Sequence, residues 1–172
     1  MPKPRKMLGS WEAPYVQALV KLIETQSKAT IANWCISYAA ENILPVFEKA
    51  FPGDARPRAA LNAARNWLAG EIKLPAVKKL ILDAHAAARE AETNPAAQAA
   101  ARTCGQAAAT IHTPTHSLGL VFYGAAAIAY DRIGTDAEPE VYEQIAAEEC
   151  ARMEAALRAV AVESEPNPAK IN

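Results

Sequence analysis

The chain has 172 residues and a mass of 18.4 kDa, which fits one domain with a substantial core and leaves no room for a second full one. Apolar residues make up 51% of it, yet 40 residues are alanine against eight valines and eleven isoleucines, a balance that favours helices and excludes an all-β domain. The net charge of −1 is unevenly divided, with 12 Lys/Arg and 6 Asp/Glu in residues 1–80 but 6 and 13 in 81–172.

The opening residues Lys3, Arg5 and Lys6 are basic, but no apolar stretch of a signal peptide follows, so a cytoplasmic location is expected. Tyr15, Ala18, Leu19, Leu22 and Ile23 form the stripe of a helix over 11–25, with Ser10 placed to cap it. Ile36, Ala40, Ile43, Leu44 and Phe47 predict a second helix over 28–50, with Asn33, Ser37 and Glu41 as its polar stripe. Pro45 lies inside that pattern and should kink or split the helix. Asp54 and Pro57 start a third helix that ends at Gly70, and Pro75 opens a fourth with Val77, Leu80, Ile81, Ala84 and Ala88 on its core face.

Asn94-Pro95 repeats the cap-plus-proline start, and Ala97, Ala100, Ala101, Cys104, Ala107, Ala108 and Ile111 give the fifth helix a small-residue seam. After Thr113-Pro114 the segment 114–131 is apolar all round and reads as a central, buried helix. A last helix begins between Asp136 and Pro139, with Tyr142, Ala146, Cys150, Met153, Leu157 and Val160 inward and the pairs Glu148–Arg152 and Glu154–Arg158 outward. Residues 1–10 and 164–172 read as frayed tails. The expectation is a single all-α domain, an antiparallel bundle of six to seven helices without a solenoid repeat. Its long helices and alanine seam make a homodimer plausible.

No complete catalytic signature is present. His112 and His116 are separated by Pro114 and lack an HExxH glutamate, so His85, His112 and His116 are weighed as a zinc set and set aside for the commoner role of histidines at helix ends. Neither a metal nor a cofactor is expected. Arg56, Arg58 and Arg65 gather near the start of the third helix, where guanidinium groups suit a carboxylate or phosphate, but Asp54, Glu48 and Glu41 offer pairing at the same corner. His85 and Arg89 share a face of the fourth helix. The acids Glu148, Glu149 and Glu154 make the last helix a candidate contact for a basic partner, and the cysteines Cys35, Cys104 and Cys150 read as reduced, buried thiols. The basic residues are too scattered for nucleic-acid binding, and no apolar run is long enough to enter a membrane.

The corner Pro45-Val46-Phe47-Glu48 through Asp54-Ala55-Arg56-Pro57-Arg58, with Ala64-Arg65-Asn66-Trp67, resembles the bacterial immunity proteins called Imm-5-like. Ala84-His85 to Arg89, and Gly105-Gln106 to His112 with His116, are similar to later segments of that family, with Gln106 where members often carry histidine. The resemblance covers roughly residues 30–130. It implies an all-helical, non-enzymatic protein that neutralises a cognate toxin by binding it. The alternative is a small-molecule- or metal-binding helical enzyme whose Arg58, Arg65, His85, Arg89, His112 and His116 converge on one groove.

Overall fold

Prolines set where most of the helices begin. A computed structural model describes residues 3–171, in which α1 (Pro14–Ile23), α2 (Lys28–Tyr38), α3 (Leu44–Ala50), α4 (Arg56–Leu68), α5 (Leu74–Glu90), α6 (Pro95–Ala109), α7 (Ser117–Ile133) and α8 (Pro139–Val160) follow in order. Among the described residues there is no strand. In α1, α3, α4, α5, α6 and α8 a proline stands in the first two helical positions, where its missing N–H has no intrahelical acceptor to lose. Asn94 caps α6 as expected, its Oδ1 accepting from the Ala97 N–H at 3.1 Å. Ser10 does not cap α1, because the helix starts three residues later and the Ser10 hydroxyl donates to Glu12 at 2.6 Å.

Ahead of Pro45 the α-helical hydrogen bonding is interrupted, as expected, but the chain stays helical. Ala39–Ile43 form a π-turn, and the Leu44 N–H reaches back five residues to the Ala39 carbonyl. Widening the turn by one residue accommodates a position that cannot donate to Glu41, so α2 and α3 form one continuous rod and the described residues hold seven rods.

The small-residue seam becomes the middle of the molecule. Helix α6 packs on α2, α3, α4, α5 and α7, and Ala97, Ala100, Ala101, Ala107 and Ala108 are completely shielded from solvent. Helix α7, the apolar segment expected near 114–131, lies buried against it, preceded by one 3₁₀ turn at Pro114–His116. Gly119 shows how close these two helices are: a Cβ built there would lie 2.4 Å from Cγ of Gln106. The seam that makes a homodimer plausible is therefore covered within one chain. All three cysteines are buried and unpaired, as their place in the apolar stripes implies.

Within the segments where fraying is expected, the described residues include several that contact the core, while Met1, Pro2 and Asn172 lie outside the described residues. Leu8 is buried, its N–H donates to the Phe122 carbonyl at 3.1 Å, and the Tyr130 hydroxyl donates to the Arg5 carbonyl at 2.5 Å. At the other end Gln26 exchanges two hydrogen bonds with the backbone of Val162, at 2.8 and 3.1 Å. Glu165 accepts from the Ser27 N–H, the Ser27 hydroxyl and the Thr30 hydroxyl at 2.7–2.8 Å, adding a second cap to α2. Ala169 and Ile171 then bury themselves against the core. Isolated apolar residues among Pro, Asn and Glu carry no periodicity, which is why the pattern did not reveal these contacts.

Candidate functional site

The arginine corner is assembled by α3, α4 and α5, and its charges satisfy one another. Arg58 holds Glu48 through two hydrogen bonds of 2.8 and 2.6 Å. Arg56 holds Asp54 at 2.9 and 2.7 Å and reaches Glu90 on α5 at 2.6 Å. Hydrogen bonding from these guanidinium groups keeps the carboxyls of Glu48 and Asp54 below the usual range. Arg65 and Arg89 are exposed and form no ion pair among the described residues.

The histidines gather at the junction of α5, α6 and the 3₁₀ turn. Gly105 allows the His85 ring to lie on the α6 backbone, since a Cβ there would sit 2.7 Å from Cε1 of the ring. Nη1 of Arg102 lies 2.9 Å from Nδ1 of His85. A guanidinium can only donate, so Nδ1 is the acceptor and the proton of the neutral ring is on Nε2. Nδ1 of His116 lies 2.7 Å from Oε1 of Gln106, and because an amide oxygen only accepts, this ring carries its proton on Nδ1. The His112 and His116 rings stand 6.0 Å apart. Among the described residues Nδ1 of His112 and Oγ of Ser117 are shielded and have no hydrogen-bond partner.

Burial pushes the His85 pKa down to about 4, helped by the charges of Arg102, Arg89 and His116. Burial also lowers His112, with Lys78, His116 and Lys28 adding to it, and lowers His116. Among the described residues no three His, Cys, Asp or Glu side chains form a group able to hold a metal ion. Of the six side chains of the groove alternative, Arg58 is engaged by Glu48, the three histidines meet at the α5–α6 junction, and none of the six lines any of three surface cavities.

The acidic face of α8 is smaller than the sequence suggests. Glu148 is exposed and accepts from Gln144 at 3.2 Å, and Glu154 pairs with Arg158 at 3.4 Å. Glu149 is only 2% exposed and belongs to the core side. It accepts the Tyr38 hydroxyl proton and pairs with Arg152 at 3.0 Å, so Arg152 turns to Glu149 rather than to Glu148. Burial and this carboxylate push the Tyr38 phenol well above its ordinary range. Next to it, Nε1 of Trp34 donates to the Met153 carbonyl at 3.0 Å, so α2 and α8 are joined by two buried polar contacts. Tyr38, Arg102 and Gln106 were missed as site residues. Arg102 had a signal, being the only charged residue in α6.

The family model for the Imm-5 like putative immunity protein matches residues 21–156. The chain belongs to that family. The match takes in α2 to α7, the arginine corner, the histidine junction and most of α8. No curated protein and no solved structure matches the chain.

Two outcomes follow from this geometry. Glu149→Ala should lower stability by about 3 kcal/mol, since it removes a charged acceptor from the Tyr38 hydroxyl inside the core, whereas Glu148→Ala should stay within about 0.5 kcal/mol. Urea unfolding of both variants checks this, and equal effects would contradict the burial of Glu149. The histidine junction also predicts a pH dependence. With folded pKa values below the ordinary 6.5, the unfolded chain binds more protons as pH falls from about 6.5 toward 4, so stability is full above 6.5 and declines through that window. Unfolding midpoints at pH 7.5, 6 and 5 should fall in that order, and His85→Asn should flatten the decline. A flat wild-type profile would contradict the account.

Proposed function

We propose that this protein is a stoichiometric, non-enzymatic inhibitor that protects a bacterial cell by binding a cognate toxin. The family match over residues 21–156 is the observation that carries this reading. The arginine corner agrees with it, because Arg56 and Arg58 are engaged in ion pairs rather than directed into a cavity.

The contact surface we assign is the outer face of α8 and the turn before it, where Asp136, Glu138, Glu140 and Glu148 are exposed. Glu154, half-buried beside Arg158, extends the same helix, whereas Glu149 supports it from within. Val141 and Ile133 add exposed apolar surface near those acids. A toxin that acts on nucleic acid presents a basic cleft, and carboxylates on a rigid helix match its charge while steering association at long range.

Co-expression with candidate toxins from the same organism tests the reading. Wild-type protein should rescue growth and form a one-to-one complex. Glu148→Gln with Glu154→Gln should slow association at low salt and reduce its salt dependence, with the helix still folded. Inactivation of the toxin by substoichiometric protein would overturn the non-enzymatic reading. Failure to bind or protect would overturn the immunity reading, and an unchanged association rate would remove α8 as the contact.

A further inference from the structure

The basic N-terminal segment and the lone cation of α6 meet in space. A cavity of about 310 Å³ is lined by both, Lys3, Arg5 and Lys6 from the segment and Gln98 and Arg102 from α6, together with Tyr123 of α7. That volume is at the lower end of the range of small-molecule sites. Four cations line it against one carboxylate, Glu92, and among the described residues none of the four is in an ion pair.

The backbone that carries the three strap cations is tied down at two points, while Lys3, Arg5 and Lys6 themselves are exposed. Tyr130 fixes the Arg5 carbonyl, and the buried Leu8, bonded to Phe122, holds the end of the strap. Arg102 is half-buried, and its hydrogen-bond partner is a neutral acceptor, His85, rather than a carboxylate. Gathering like charges around a recess raises the energy of the empty protein, and an anion in the recess lowers it. A guanidinium fork matches a tetrahedral oxyanion through parallel N–H···O bonds, and several cations together favour a doubly charged group over a singly charged one. Tyr123 supplies aromatic surface for the rest of the molecule.

We propose that this cavity is a binding site for a small phosphate monoester, its phosphoryl group held by Arg102 and the Lys3–Lys6 strap and its organic body resting on Tyr123. The same strap adjoins the start of α8, where Lys3 and Arg5 line a neighbouring cavity with Thr135, Ala137 and Glu143, but phosphate binding is measured on the protein alone, so its failure leaves the toxin reading standing, and the reverse.

Titration of ¹⁵N-labelled protein at pH 7.5 and constant ionic strength tests it, with inorganic phosphate, phenyl phosphate and benzoate as probes. Saturable shifts are expected at the amides of Arg5 and Lys6 and at Nε of Arg102. Phenyl phosphate should bind several-fold more tightly than inorganic phosphate, and benzoate more weakly than either. Arg102→Gln should weaken phenyl phosphate binding about tenfold, the worth of one charge-assisted hydrogen bond. Because Arg102 also holds His85, a second variant, Lys3→Gln with Arg5→Gln and Lys6→Gln, leaves the core untouched and should weaken binding at least as much. No saturation by tens of millimolar phosphate, undiminished binding in both variants, or benzoate binding as tightly as phenyl phosphate would overturn the proposal.

Discussion

A helix of alanines can be the centre of a bundle only if its neighbours come close enough to replace the contacts that larger side chains would have made. Helix α6 meets that condition on several sides at once, packing on α2, α3, α4, α5 and α7 with most of its alanines at zero or near-zero exposure. Close packing of small residues exchanges side-chain volume for helix proximity, and it leaves little slack: a methyl group added at Gly119 would strike the side chain of Gln106. The polar arrangement follows from the same closeness. His85 rests on the α6 backbone at Gly105, Arg102 reaches it from the next turn, and Gln106 turns to His116.

Around that axis the charged residues fall into two kinds. Those at the α3–α4–α5 corner neutralise one another and fasten the corner, at a modest gain because they remain partly solvated. Among the described residues those on the N-terminal strap, and Asp136, Glu138, Glu140 and Glu148 before and along α8, form no ion pair, and the two groups are opposite in sign. The excess of base in residues 1–80 and of acid in 81–172 is therefore not cancelled everywhere by packing. It survives as a basic recess beside α6 and an acidic face on α8, and these are the two surfaces to which binding is assigned.

The helical architecture was legible because proline starts and apolar stripes are local signals. Asn94-Pro95, Pro75 and Pro139 mark real beginnings, and Ala146, Cys150, Met153 and Leu157 are buried as their spacing requires. Pro45 signals an interruption of the helix, and its form, a π-turn over Ala39–Ile43, is visible only in the backbone. Glu149 was misassigned although its position was readable: it stands four residues after Ile145 and four before Met153, both buried. Its charge suggests a surface role, and the carboxylate is tolerated there because Arg152, three residues on, and Tyr38, more than a hundred residues away in sequence, both bond to it. The docked C-terminal segment was hidden for a similar reason, since Gln26 and Glu165 act through contacts that no window along the chain contains.

If the alanine-rich α6 is the structural axis, its amides should open only when the whole protein unfolds. Native-state hydrogen exchange in low concentrations of urea measures this directly. The account predicts that amides from Ala99 to Ala108 are the slowest to exchange, with the free energy and urea dependence of global unfolding, while the outer turns of α8 and the segment after Ser164 exchange through smaller openings. Exchange of the α6 amides at lower free energy than those of α8 would contradict it.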